Sequence, residues 1–166
     1  MKSTIRLDKR ELILAKGAQV MTRRGYHGTG VQEIVQAAGI PKGSFYHYFA
    51  SKEDFALQAL AFIYQPRLQR YAAALSNQAL SPRTRILAYY HELLTHFIGS
   101  LSFEMSELLP AIGEQVEAIL QDSAQILQGC LEEAQAAGEL APAEDCANLA
   151  AFIANAWQGV LTRLKV

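Results

Sequence analysis

What the 166-residue chain lacks excludes several classes before any motif is read. No apolar run approaches the roughly 20 residues a membrane-spanning helix needs, and the opening MKSTIRLDKR is too polar for the hydrophobic segment of a signal peptide. The expectation is a cytoplasmic protein with no membrane partner. Its two cysteines, Cys130 and Cys146, do not make a disulfide framework in such a compartment. The four histidines, at 27, 47, 91 and 96, form no HExxH and no Cys/His metal spacing. His91 and His96 are five residues apart and share a helix face poorly, so no metal site is expected. No phosphate-binding glycine loop is present, and no nucleophile has a base at a diagnostic offset. The chain therefore reads as no enzyme and calls for no cofactor.

Charge of either sign is scarce overall, with a net value of -1. Taken alone, that argues against a polyanionic partner. The distribution argues for one: residues 1–53 carry nine Lys and Arg against four acids, a surplus of +5, and the remainder carries six against twelve, or -6. A basic head on an acidic body concentrates phosphate attraction at one end. The 51% hydrophobic and 19% charged content is that of an ordinary folded protein, so disorder need not be invoked for the body.

What is there is organised around TGVQEIVQAAGIPKGSFYHYFASKED, residues 29–54. Val31, Ile34, Val35 and Ala38 fall on one helical face, and Gly39 tolerates the positive φ that ends such a helix. Pro41 then pre-sets the first turn of a second short helix, expected over Lys42 to Phe49. At roughly 100° per residue, Phe45 and Phe49 share the inner side while Gly43, Ser44 and His47 face outward, flanked by Tyr46 and Tyr48. A helix offering only small, polar and ring-nitrogen groups suits a DNA major groove. Ser51 followed by Asp54 is a variant capping box, with Lys52 in the first turn of the next helix. A lysine there opposes the helix dipole and points to a phosphate outside the helix. The preceding helix is expected from about Asp8 or Lys9 to Arg24, burying Ile13, Gly17, Val20 and Met21, with Gly17 allowing close packing against the recognition helix.

From about Glu11 through Leu60, and most of all in PKGSFYHYFASKEDF, the chain resembles the TetR/AcrR family of bacterial transcriptional regulators. The resemblance implies an all-α homodimer, with a three-helix helix-turn-helix head over residues 1–54 and a helical-bundle ligand-binding and dimerisation domain over 55–166. It implies a near-palindromic double-stranded DNA operator, and a small-molecule effector that releases it. Carried over by position, Thr29 and Lys52 would touch phosphates, Lys42, Gly43, Ser44 and His47 would approach bases, and Tyr46 and Tyr48 would clamp the backbone. Gly30 departs from the family, which places Ser or Thr there as the helix cap, so Thr29 is the candidate to take that role.

Beyond the head, Pro66 lies inside a long helical pattern and marks a candidate hinge. Ser81 and Pro82 are a cap and first-turn pair opening a helix to about Ile98. Aromatics there and beyond give a candidate effector lining of Tyr89, Tyr90, Leu93, Phe97, Phe103, Met105 and Trp157, although the same residues also suit an ordinary core. A short helix over Leu101 to Leu108 is possible. Two further helices, about Pro110 to Ala137 and Ala143 to Lys165, carry broad apolar stripes. Leu127, Leu131, Ala134, Ile153, Trp157, Val160, Leu161 and Leu164 are the candidate dimer interface. Two other readings stand beside the effector-responsive repressor. One is a helical-bundle interaction protein without DNA. The other is an electrophile- or redox-sensing repressor acting through Cys130 or Cys146, since ILAYYHELL and SLSFEMSELLP are similar to segments of such regulators.

Overall fold

The computed structural model describes residues 8–93 and 109–163. Among these the chain forms helices and no strand, as expected: α1 Lys9–Arg24, α2 Val31–Ala38, α3 Lys42–Phe45, α4 Lys52–Leu75, α5 Pro82–Leu93, α6 Pro110–Ala136 and α7 Cys146–Arg163. The possible helix over Leu101 to Leu108 lies outside the described residues, as do Phe97, Phe103, Met105 and Leu164.

The chain divides into two compact units, residues 8–64 with 109–113 and residues 65–93 with 114–163. The division falls inside α4, between Tyr64 and Gln65, instead of at 54/55. The reason is that the first turns of α4 are head core: Phe55, Ala56, Ala59 and Leu60 are all buried. Pro66 follows the division directly, within the helix.

In the first unit, α1 buries Ile13, Leu14, Gly17, Ala18 and Met21. A Cβ on Gly17 would lie 2.5 Å from Phe55 Cζ and 2.7 Å from Ile34 Cγ2. The close approach that glycine permits is therefore to α4 and α2, not to the recognition helix. The aromatic centre is a triad: Phe45 to Phe49 at 5.2 Å, Phe45 to Phe55 at 5.8 Å and Phe49 to Phe55 at 5.1 Å between ring centroids. Each such pair contributes about 0.5–1.5 kcal/mol beyond its buried area, and together they pin α3 to α4.

The second unit packs Tyr71 and Leu75 of α4 against Leu127, Cys130 and Leu131 of α6 and Cys146 and Ala150 of α7. Ser81 opens α5 as expected, its Oγ accepting the Thr84 N–H at 3.4 Å. The polar connector after α6 is closed by one side chain: Gln135 Nε2 donates to the carbonyls of Ala141, Pro142 and Glu144 at 2.9, 3.0 and 3.0 Å.

Candidate nucleic-acid interface

The turn between α2 and α3 is made by Gly39, whose φ of 69° is the left-handed geometry that glycine takes without a steric cost. Gly39 N–H donates to Gln36 O and Ile40 N–H to Val35 O, at 3.2 and 3.0 Å. Those bonds satisfy the last carbonyls of α2 and turn the chain toward Pro41.

α3 is shorter than its expected Lys42 to Phe49 span. Only Lys42–Phe45 is α-helical. His47 N–H reaches Ser44 O at 3.3 Å and Tyr48 N–H reaches Phe45 O at 3.0 Å, before Phe49 N–H closes on Phe45 O at 3.0 Å. Glycine at 43 and the aromatic run at 45, 46, 48 and 49 are weak helix formers, so the second turn loosens. Its side chains still divide as expected. Phe45 and Phe49 are buried, Lys42, Gly43, Tyr46 and His47 are exposed, and Ser44 and Tyr48 are half-buried. Tyr46 is 57% exposed, its ring resting edge-to-face on Phe45 at 5.3 Å between centroids.

Gly43 has nothing within 4 Å of where a Cβ would stand, and its backbone is not left-handed. Among the described residues nothing requires glycine there.

Thr29 is corrected by the structure. It is fully buried at 0% exposure, and its hydroxyl donates to Gly25 O at 2.8 Å. It neither presents a hydroxyl to a phosphate nor caps α2. Gly30 occupies the cap position, and Glu33 Oε2 accepts the Gly30 N–H at 3.0 Å. A buried β-branched residue in the turn after α1 serves the fold, and sequence spacing alone does not separate that from a surface role.

Lys52 starts α4 as expected, half-buried, behind a cap in which Ser51 Oγ accepts Asp54 N–H at 3.1 Å and Asp54 Oδ2 accepts Ala50 N–H at 2.8 Å. Its ammonium lies 4.1 Å from the centroid of the Tyr26 ring. Burial lowers the Lys52 pKa, with Glu33 opposing, and burial raises that of Tyr26, with Glu53 adding to it. Tyr26 was not singled out in the sequence, and only its place two residues after Arg24 on an otherwise polar turn hinted at it. Arg10 is a second unanticipated member of this end of the molecule: its guanidinium meets Gln58 Oε1 and lies 6.0 Å from the Phe49 ring centroid.

The other candidate sites fall in the second unit. Tyr89, Tyr90 and Trp157 come together with Tyr71, which sequence reading missed. Ring centroids are 4.4 Å apart for Tyr71 and Tyr89 and 5.1 Å for Tyr90 and Trp157, and the Tyr71 and Tyr90 hydroxyls are 3.2 Å apart. Trp157 Nε1 is buried without a hydrogen-bond acceptor among the described residues. Leu93 closes α5.

Of the candidate dimer residues, Leu127, Leu131 and Ala134 are removed: they are 0%, 6% and 4% exposed within one chain. The α6 stripe is spent on the chain's own core. Ile153 packs on the edge of the same core. Val160 remains outward, and with it Phe152, 69% exposed and unanticipated. Phe152, Ala156, Gly159 and Val160 are exposed at the i, i+4, i+7, i+8 spacing of one α7 face. Leu161 also lies in α7. Because α7 is apolar on two sides, its sequence did not say which side faces out.

Among the described residues no helix is long and apolar enough to cross a membrane.

With the geometry in place, the chain can be set beside known proteins. Residues 13–59 match the family of bacterial regulatory proteins, tetR family, and residues 97–166 match a family described as tetracyclin repressor-like, C-terminal domain. The chain is 31% identical over 167 residues to the HTH-type transcriptional repressor DhaR of Mycobacterium sp. (strain GP1), covering 97% of this chain and 84% of that protein. It is 35% identical over 133 residues to the HTH-type transcriptional repressor NemR of Escherichia coli (strain K12), covering 76% of this chain and 67% of NemR. The reduced form of E. coli NemR superposes with a TM-score of 0.87 at 31% identity, over 96% of this chain and 88% of NemR. A cysteine variant of the TetR-family regulator CifR, solved with a 26-base-pair double-strand operator, shares the fold at a TM-score of 0.79 and 23% identity, over 97% of this chain and 88% of that one.

Proposed function

Because the chain belongs to the TetR family of bacterial regulatory proteins, we propose that it is a repressor that works as a homodimer and leaves its operator when a small molecule binds the second unit. It is a DNA-binding transcriptional regulator and not an enzyme. The observation that carries the DNA reading is the division of the recognition turn: Phe45 and Phe49 are sealed in the head while Lys42, Gly43, Tyr46 and His47 lie open beside them. Polar groups and a bare backbone seated on a rigid aromatic anchor are what reading base edges demands.

The homodimer reading is supported by the exposed Phe152, Ala156, Gly159 and Val160 face of α7. A two-fold axis would pack such a face against its copy, with the small residues allowing the backbones to approach. A dimer also explains how one turn of helix per chain suffices, since two half-sites then bind together.

The effector reading is supported by the Tyr71, Tyr89, Tyr90 and Trp157 cluster, where an indole N–H is buried without an acceptor among the described residues. A buried donor left unpaired costs free energy, and a ligand with a carbonyl or similar acceptor would satisfy it.

A cysteine-based sensor is disfavoured. Cys130 and Cys146 are 3% and 7% exposed, and burial pushes the Cys130 thiol up despite the opposing charge of Arg85. Access, which reactive cysteines need, is reduced at both, and thiolate character at Cys130. Neither thiol is expected to react with maleimide in the native protein.

The test of the whole reading is mobility shift of the DNA upstream of the chain's own gene, across a salt series. Binding that weakens steeply with salt supports it; indifference to that DNA at low ionic strength overturns it.

A further inference from the structure

We infer that Tyr26 is a positioning residue for DNA binding: its ring is a shelf that holds the Lys52 ammonium at the start of α4, where it can meet a phosphate. The inference rests on the reading of the chain as an operator binder.

Two local influences work against Lys52, and the charge of Glu33 only partly offsets them. It sits in the first turn of a helix, where the dipole opposes a cation, and partial burial disfavours its charge. A flexible lysine in that setting tends to swing into solvent. The π face of Tyr26, 4.1 Å away, supplies the missing attraction. It does so without neutralising the ammonium, as a carboxylate would. The neighbouring carboxylate of Glu33 is committed to the Gly30 N–H at 3.0 Å. The cation is thereby held in place without a direct carboxylate partner of its own.

The shelf is itself rigid. Tyr26 is 8% exposed, and His27 packs on it edge-to-face at 5.6 Å. Thr29 pins the turn from both ends, its N–H donating to Tyr26 O at 3.3 Å and its hydroxyl to Gly25 O at 2.8 Å. The burial of Thr29 thus acquires a purpose: it braces the ring that carries the phosphate-facing lysine.

The experiment has one arm without DNA and one with it. In the free protein, the ε-methylene protons of Lys52 are expected to be shifted upfield by the ring current, and Tyr26→Leu should return them to the values of the exposed lysines. With DNA from upstream of the chain's own gene, Lys52→Ala should lower the log–log salt slope by about one. Tyr26→Leu should weaken binding about two- to thirtyfold, the range of a cation–π contact, while Tyr26→Phe keeps wild-type binding. In a Lys52→Ala background, Tyr26→Leu should add nothing. Unshifted Lys52 resonances overturn the inference, as does a Tyr26→Leu effect of equal size in both backgrounds. A wild-type chain that ignores the DNA while its Lys52 resonances are shifted would refute the operator reading and leave the shelf standing.

Discussion

Arg85 and Glu133 meet at 2.6 Å, the guanidinium buried to 3% exposure and the carboxylate 45% exposed. The same guanidinium donates to Leu75 O at 3.0 Å, Leu80 O at 2.9 Å and Gln78 Oε1 at 3.1 Å. One arginine thus gathers the end of α4, the loop after it, the start of α5 and the side of α6. The hydrogen bond from Arg85, then that from Gln78, holds the Glu133 carboxyl below its ordinary value. A carboxyl that titrates lower in the folded than in the unfolded state gives stability that is complete above the unfolded pKa and lost as pH falls through the folded one. Thermal melts of wild type and Glu133→Gln should therefore differ at neutral pH and converge as the pH drops below about 4. Arg85→Ala should lower the melting temperature further than Glu133→Gln, because it strands the buried Leu75 carbonyl and the part-buried Leu80 carbonyl as well as the carboxylate.

Gly17→Ala should destabilise the head even though alanine is the better helix former. The added carbon would stand 2.5 Å from Phe55 Cζ, and overpacking of this kind costs about 1–3 kcal/mol, against at most ~1 kcal/mol gained in helix propensity. Denaturant unfolding gives the sign directly.

Gly43→Ala should do the reverse. With open space around the new carbon, stability should rise by about 0.4–1 kcal/mol. Affinity for upstream DNA should nonetheless fall, since under the proposed reading the methyl group would stand where a duplex approaches the backbone. A variant that gains stability and keeps its affinity would show that this glycine does not face DNA.

On α7, Phe152→Glu should shift the chain toward monomer in sedimentation while leaving its helix content intact. Leu127→Ala should instead unfold the second unit, at a cost of about 2–5 kcal/mol. If Phe152→Glu sediments as wild type does, the exposed α7 face is not the dimer seam.

Thr29→Val separates the two roles once open to this position. It removes the bond to Gly25 O, costing about 1 kcal/mol. Because the side chain has no exposed surface, any loss of DNA affinity should act through the Tyr26 turn it braces and vanish in a Lys52→Ala background, whereas a direct phosphate contact would persist there.

The head was largely legible because its signals are local and have few alternatives: a left-handed glycine at 39, a proline at 41, a Ser51 cap and aromatics at fixed spacing dictate turn and faces together. Thr29 misled, since hydroxyls serve buried turns and phosphate contacts equally well and spacing does not distinguish them. Tyr26 was missed because its partner, Lys52, is distant in sequence, and cation–π contacts leave no periodic trace. The body was harder for a different reason. Leu127 and Phe152 both belong to helices apolar over more than one face, and which face is covered is decided by packing among α4, α6 and α7. Arg85 was invisible for the same cause: a buried charge depends on acceptors from separate segments.

The most direct test of the central claim is the binding of upstream DNA by a Lys42→Ala, Tyr46→Ala double variant, with circular dichroism and sedimentation run alongside. Both side chains are exposed, so fold and assembly should match wild type while DNA binding is abolished. Wild-type affinity in that variant would contradict the assignment of the α3 outer face to DNA.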